Sequence, residues 1–330
     1  MSFVERELKN LFNRIGGTML MLLLAFNLLC GGAAVLGEGL LSISNTTSMN
    51  IVVELLNSVA YIAAFSIPVW FFLVISKKNF VQPFGVSLSL STETPALISA
   101  SMMFLGTSAC FAASYINSLM FPISQETSDI CFSGTAQAPY VVVLMFISTA
   151  IIPAFVEELL FRGVVLSSIR PYSEGGAILI SAILFGFMHQ TPFQLFYATA
   201  IGVILGIIRV QTGSIWIGVL VHFFNNFLSV IQTYLLGCFD DQTGTVIYTI
   251  LTLSVMALGG LLGAVLYMKS ASQKKGNTID HLGFFGRSNR CSSNISFHKE
   301  KSRIFKAFFC PAIVAFLAVC ALAMFFSSQF

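Results

Sequence analysis

The chain has 330 residues, 56% of them hydrophobic and only 9% charged, with a formal net charge of +3 at pH 7. Soluble domains carry about 25% charged residues, and the mean hydropathy here is +0.86. A soluble globular domain is thereby excluded, nothing calls for a nucleic-acid partner, and the expectation is an all-α, polytopic membrane helical bundle of about nine spans in a lipid bilayer.

Residues 1–16 predict a short polar helix carrying Arg6, Lys9 and Arg14. Apolar runs predict spans over 18–36, 51–75 and 96–120, with Pro68 kinking the second and Lys77-Lys78 closing it. A fourth helix is expected from Pro139 to Ile169, longer than the roughly 20 residues a span needs, with a kink at Pro153. The run from Pro171 to Gly176 reads as a turn. Short spans are expected over 177–189 and 193–208, then a turn at Gln211-Thr212-Gly213 and spans over 215–236 and 246–268. Residues 269–306, rich in Ser, Lys, Arg, Asn and Gly, read as a flexible basic linker before a ninth span over 307–326. The chain thus divides into N-terminal membrane helices (1–138), a motif-bearing core (139–236), an eighth helix (237–268), the linker (269–306) and a C-terminal membrane helix (307–330).

With the N-terminus in the cytoplasm, Lys77, Lys78, Arg170, Arg209 and all the bases of the linker fall on the inner side. The expected outer loops hold no Lys or Arg, which is the positive-inside pattern. No organelle signal stands out, so the expected location is a bacterial plasma membrane. The cysteines form no CxxC pair. Cys131 and Cys238, both in expected outer loops, are the candidates for a disulfide.

The stretch from Phe155 to Gly163, FVEELLFRG, sets three charges inside an apolar run. Each costs roughly 2.5–3.5 kcal/mol near a bilayer centre, so together they need a reason. Glu158 and Arg162 are i and i+4 on one helix face and can pair. Glu157 lies about 100° round the helix and is left without that partner. An unpaired carboxylate there suits a general base, while a plain structural ion pair is the competing account.

His189 and His222 lie in membrane helices. Counted at about 1.5 Å per residue from the flanking turns, Glu157, His189 and Asn226 each reach roughly 20 Å depth, with His222 one turn from Asn226. Phe185 is one turn from His189 and can pack beneath the imidazole. These groups suit peptide hydrolysis: Glu157 takes a proton from water that His189 orients, and His222 with Asn226 donates to an oxyanion. Glu157, His189 and His222 also make up a zinc-type donor set, so metal-free and metal-assisted hydrolysis both stay open, with no cofactor required.

Three motifs occur in order on separate apolar helices: EExxxR (Glu157, Glu158, Arg162), FxxxH (Phe185, His189) and HxxxN (His222, Asn226). In this the chain resembles the CPBP (ABI) family of CAAX prenyl endopeptidases and lysostaphin-resistance-protein-A-like membrane proteins, over roughly 139–236. The resemblance implies an intramembrane endopeptidase opening to the cytoplasmic side, acting on a peptide or membrane-anchored protein. Positions matching Glu157 and His189 would activate water, and those matching His222 and Asn226 would form the oxyanion hole. The linker and ninth span lie outside what the resemblance explains. Other readings are a non-proteolytic scaffold or bacteriocin-immunity protein of the same family, and a proton-coupled transporter, since intramembrane Glu, His and Arg also mark ion pathways.

Overall fold

A computed structural model of the chain describes residues 3–43, 47–76, 96–120, 143–144, 146–275 and 297–327. All regular structure among them is helical. Helix α1 spans Phe3–Ile43, α2 Thr47–Ser76 and α3 Ala96–Met120. A broken helix comes next, the motif helix: a π-helical segment Phe146–Ile151, α4 Ile152–Glu158, a second π-helical segment Leu159–Leu166, and α5 Ser167–Ile169. Then come α6 Glu174–Met188, α7 Pro192–Thr212, α8 Ile215–Cys238, α9 Asp241–Lys275, α10 Phe297–Phe308 and α11 Pro311–Ser327.

Among the described residues, six helices are long and apolar enough to cross a membrane: α1, α2, α3, α7, α8 and α9. The apolar α6 and α11 are shorter. The regular structure of the described residues is thus all helical, and its long apolar helices mark an integral membrane protein.

Several boundaries differ from expectation. The polar N-terminal helix and the first span are one helix of 41 residues, about 60 Å long against a hydrocarbon core of about 30 Å. Gly16 does not break it, because α11 crosses there. A Cβ on Gly16 would stand 2.7 Å from Ala312 Cβ and Ile313 N. The fourth helix is not one kinked α-helix; two wide π turns interrupt it. Pro153 lies in the first turn of α4, immediately after the π segment, where its missing N–H is tolerated. Helix α6 begins at Glu174 rather than Ala177, since Ser173 caps it by accepting from the Gly176 N–H at 3.1 Å. The linker is shorter than read: residues 269–275 continue α9 and 297–306 lie in α10. Cys131 lies outside the described residues, and Cys238 is exposed at the end of α8.

The turn at Gly213 is as expected. Gly213 takes φ 68°, the left-handed conformation that ends α7, and Ser214 then caps α8 by accepting from Trp216 N.

The main core joins α1, α2, the motif helix, α6, α10 and α11. On α1 it uses Leu8, Phe12, Ile15, Met19 and Leu22, a stripe spaced three and four residues apart. A second cluster, with Cys110, Ile201, Leu205, Ile208, Ile217 and Val221, joins α3, α7 and α8. The motif glutamates sit between the two.

Candidate active site

Helices α6 and α7 cross at small residues, which brings their backbones close. A Cβ on Gly202 would meet Ala182 Cα at 2.8 Å, and one on Gly186 would meet Leu195 O at 2.8 Å. This approach presents the Gly202 carbonyl to the motif helix, where Arg162 Nη2 donates to it at 3.2 Å.

Arg162 is fully buried, as is Glu158, and the two pair at 2.6 Å between Nη1 and Oε1. The guanidinium also lies 4.7 Å over the Phe185 ring. Removing two such charges from water costs several kcal/mol per ion, which only good geometry and further hydrogen bonds offset. Gly218 of α8 gives the carboxylate room, for a Cβ there would stand 3.1 Å from Glu158 Oε2.

Glu157 is 3% exposed and faces another way. Its spacing suggested a free carboxylate, but the Tyr61 hydroxyl of α2 donates to its Oε1. Its Oε2 stands 3.7 Å from His222 Nε2. The other ring nitrogen of His222, Nδ1, is 3.1 Å from Glu158 Oε1. His222 therefore bridges the two adjacent carboxylates. Within ion-pair distance of Glu157 the histidine is His222, and no such pair joins His189 to Glu157 among the described residues.

His189 ends α6, and its Nδ1 is 2.9 Å from the Phe185 carbonyl. A carbonyl only accepts, so Nδ1 carries the hydrogen and Nε2 of the neutral ring is an acceptor. Gln190 comes next with φ 55°, an uncommon left-handed conformation for a non-glycine residue. The Phe185 ring has His189 edge-on at 5.0 Å and His222 edge-on at 5.7 Å, so both imidazoles are oriented by one side chain.

Asn226 is half-buried and reached through a polar chain. Asn225 Nδ2 donates to Asn226 Oδ1 at 3.3 Å, and the Asn225 amide exchanges hydrogen bonds with the Tyr197 hydroxyl at 2.8 and 3.0 Å. The Asn226 Oδ1 is thus an acceptor for its neighbour, which leaves its own NH₂ to donate elsewhere.

The motifs did not reveal Tyr61, Tyr197, Asn225 or Gly218. Only the adjacency of Asn225 and Asn226 carried a local signal. Tyr61 approaches from a helix 96 residues away, and Tyr197 from the helix that precedes α8.

Among the described residues no group of three or more His, Cys, Asp or Glu side chains is gathered to hold a metal. The bonded atoms of the cluster are Glu157 Oε1 with Tyr61, Glu158 Oε1 with Arg162 and His222, and His189 Nδ1 with its own helix. These bonds leave Glu157 Oε2 and the Nε2 atoms of His189 and His222 outside them. An apolar cavity of about 270 Å³ opens between α2 and the motif helix, lined by Val69, Trp70, Leu73, Val156 and Leu159 among others.

Comparison with known proteins bears on residues 139–228, which match the family model described as Type II CAAX prenyl endopeptidase Rce1-like. No curated protein and no solved structure matches the chain. All three motifs lie within the matched segment, on the helices that build the glutamate–histidine cluster. The central segment of this chain, residues 139–228, is thus similar to the Rce1-like type II CAAX prenyl endopeptidases.

Proposed function

We propose that the protein is an intramembrane endopeptidase that hydrolyses a peptide bond with water activated by Glu157. The observation that carries this reading is the buried approach of Glu157 to His222, beside a second carboxylate already neutralised by Arg162. Glu158 is occupied by the guanidinium, which leaves Glu157 as the carboxylate able to take a proton. The 3.7 Å between Glu157 Oε2 and His222 Nε2 is too long for a direct hydrogen bond. Neither atom is thereby tied to the other.

In this mechanism water gives a hydrogen bond to His189 Nε2 and its proton to Glu157 as its oxygen attacks the carbonyl carbon. Glu157 then passes the proton to the leaving amine. The developing oxyanion accepts from the Asn226 NH₂ and from His222 Nε2 when that nitrogen carries hydrogen. An imidazolium at His222 would also bring the cluster of two carboxylates and one guanidinium to zero net charge.

The substrate is a peptide or a membrane-anchored protein. The cavity between α2 and the motif helix offers room for an apolar side chain or anchor on the same helix that carries Glu157. The confinement of Lys and Arg to one set of segments supports a cytoplasmic N-terminus and a site opening to that side of a plasma membrane.

The test is cleavage of quenched-fluorescence peptides ending in a CAAX box, with and without a prenyl group, by detergent-purified protein. Glu157→Gln is expected to lower kcat by about 10²–10⁴, and EDTA to leave the wild type unchanged. Cleavage by Glu157→Gln at the wild-type rate overturns the mechanism. Loss on chelation, restored by zinc, would reassign the same side chains as ligands. A folded wild type that cleaves none of the peptides would favour the scaffold reading.

A further inference from the structure

We infer that Tyr61 of α2, outside the segment that carries the motifs, is a positioning residue for Glu157 and completes the active site. The inference rests on the proposed hydrolytic role of Glu157.

The Tyr61 hydroxyl donates to Glu157 Oε1 across 96 positions of sequence. A carboxylate only accepts, so the direction of that bond is fixed. Holding Oε1 from the α2 side turns Oε2 toward the side of His222 Nε2, leaving Oε2 to take the proton of the reacting water. Without the hydroxyl, the side chain of Glu157 has rotamers that carry Oε2 away from that point.

The phenol is itself held. Its ring stacks on Phe65 at 5.0 Å and 27°, and Phe26 of α1 meets it edge-on at 5.8 Å and 79°. Phe26 also meets Phe65 edge-on at 6.4 Å, so three rings from two helices lock one another. Phe65 is fully buried.

A helix-docking role alone does not account for the hydroxyl. Phe65, Val69 and Phe72 of α2 already share the apolar core with Val156, Leu160 and Phe161 of the motif helix. A phenylalanine at position 61 would keep the ring stack and the docking. It would lose only the hold on one carboxylate oxygen.

The deciding experiment compares kcat and KM of wild type and Tyr61→Phe on the same CAAX peptides, with thermal unfolding in detergent alongside. Tyr61→Phe is expected to lower kcat about tenfold to a hundredfold, the scale of one hydrogen bond to a charged group. KM should stay within about twofold and the unfolding temperature within a few degrees, since the packing is untouched. In a Glu157→Asp background the shortened carboxylate no longer reaches the hydroxyl, so Tyr61→Phe should cost nothing further. A wild-type kcat for Tyr61→Phe overturns the inference and leaves the hydrolytic reading standing. So does an equal loss in both backgrounds, or a lowered unfolding temperature with unchanged kcat. If Glu157→Asp is silent, the kcat and KM of Tyr61→Phe alone decide. If Glu157→Gln proves as active as the wild type, or the folded wild type cleaves no peptide, the hydrolytic reading fails first and takes the inference with it.

Discussion

Glu157 and Glu158 are consecutive, and the turn of about 100° between them sends them to different neighbours. Glu158 meets Arg162, His222 and the space left by Gly218, whereas Glu157 meets Tyr61 and the far side of the same imidazole. The pairing of Glu158 with Arg162 was legible because it is local, four residues along one helix. Arg162→Met would keep much of the volume and leave Glu158 buried without its partner. It is expected to cost about 3–5 kcal/mol, read as a fall in unfolding temperature or loss of folded protein in detergent. Gly218→Ala tests the same carboxylate from α8. Its methyl would press on Oε2 at 3.1 Å while Oε1 is held by Arg162 and His222, so the carboxylate cannot retreat. A loss of about 1–3 kcal/mol is expected, the usual cost of overpacking. Calorimetry or a thermal melt would detect it.

At the scale of the elements, the motif helix differs most from its reading. The apolar run and Pro153 predicted a long kinked helix, but not the two π segments on either side of α4. A π turn shifts the register of the helix beyond it and frees backbone carbonyls, and such turns recur at functional sites. Here Ser167 Oγ donates to the Arg162 carbonyl, five residues back, at 2.8 Å. Nothing in a single segment specifies such a turn; it depends on what the neighbouring helices accept. The crossing of α6 and α7 is equally a matter of packing. Gly202 both lets α6 approach and offers its carbonyl to Arg162. Gly202→Val is therefore expected to separate the pair and to lower stability and peptidase activity together. Assays of unfolding and cleavage on one preparation would check this, and a variant that kept both would contradict the packing account.

Over the whole molecule, α1 and α2 are more than membrane anchors preceding a catalytic segment. Helix α2 packs directly on the motif helix, and α1 packs on α2 and in turn carries α10 and α11. Near the start of α1, Arg303 of α10 pairs with Glu5 at 3.5 Å. That pair is half-exposed and worth at most about 1 kcal/mol, so the apolar contacts around Gly16, Ile313 and Phe316 hold the C-terminal helix in place. Orientation rests on charge. With the other cysteines replaced, Cys291 in the basic segment is expected to resist a membrane-impermeant maleimide in intact cells. It should react once the cytoplasmic face is opened. Labelling in intact cells would reverse the topology.

The membrane class, the positions of the long apolar helices and the three motifs were readable from composition and periodicity. A bilayer imposes the same length and apolarity on every span, wherever that span packs. The turn at Gly213 and the Glu158–Arg162 pair were readable as well, because both are decided within a few residues. Tertiary structure decided the rest: the partner of Glu157, the bridging place of His222, the Tyr197–Asn225–Asn226 chain and the π turns of the motif helix. Each of these depends on which helices become neighbours and at what angle. In an apolar chain many faces are hydrophobic enough to pack, so periodicity alone does not select among them. Small residues such as Gly202 and Gly218 acquire meaning only when the facing helix is known.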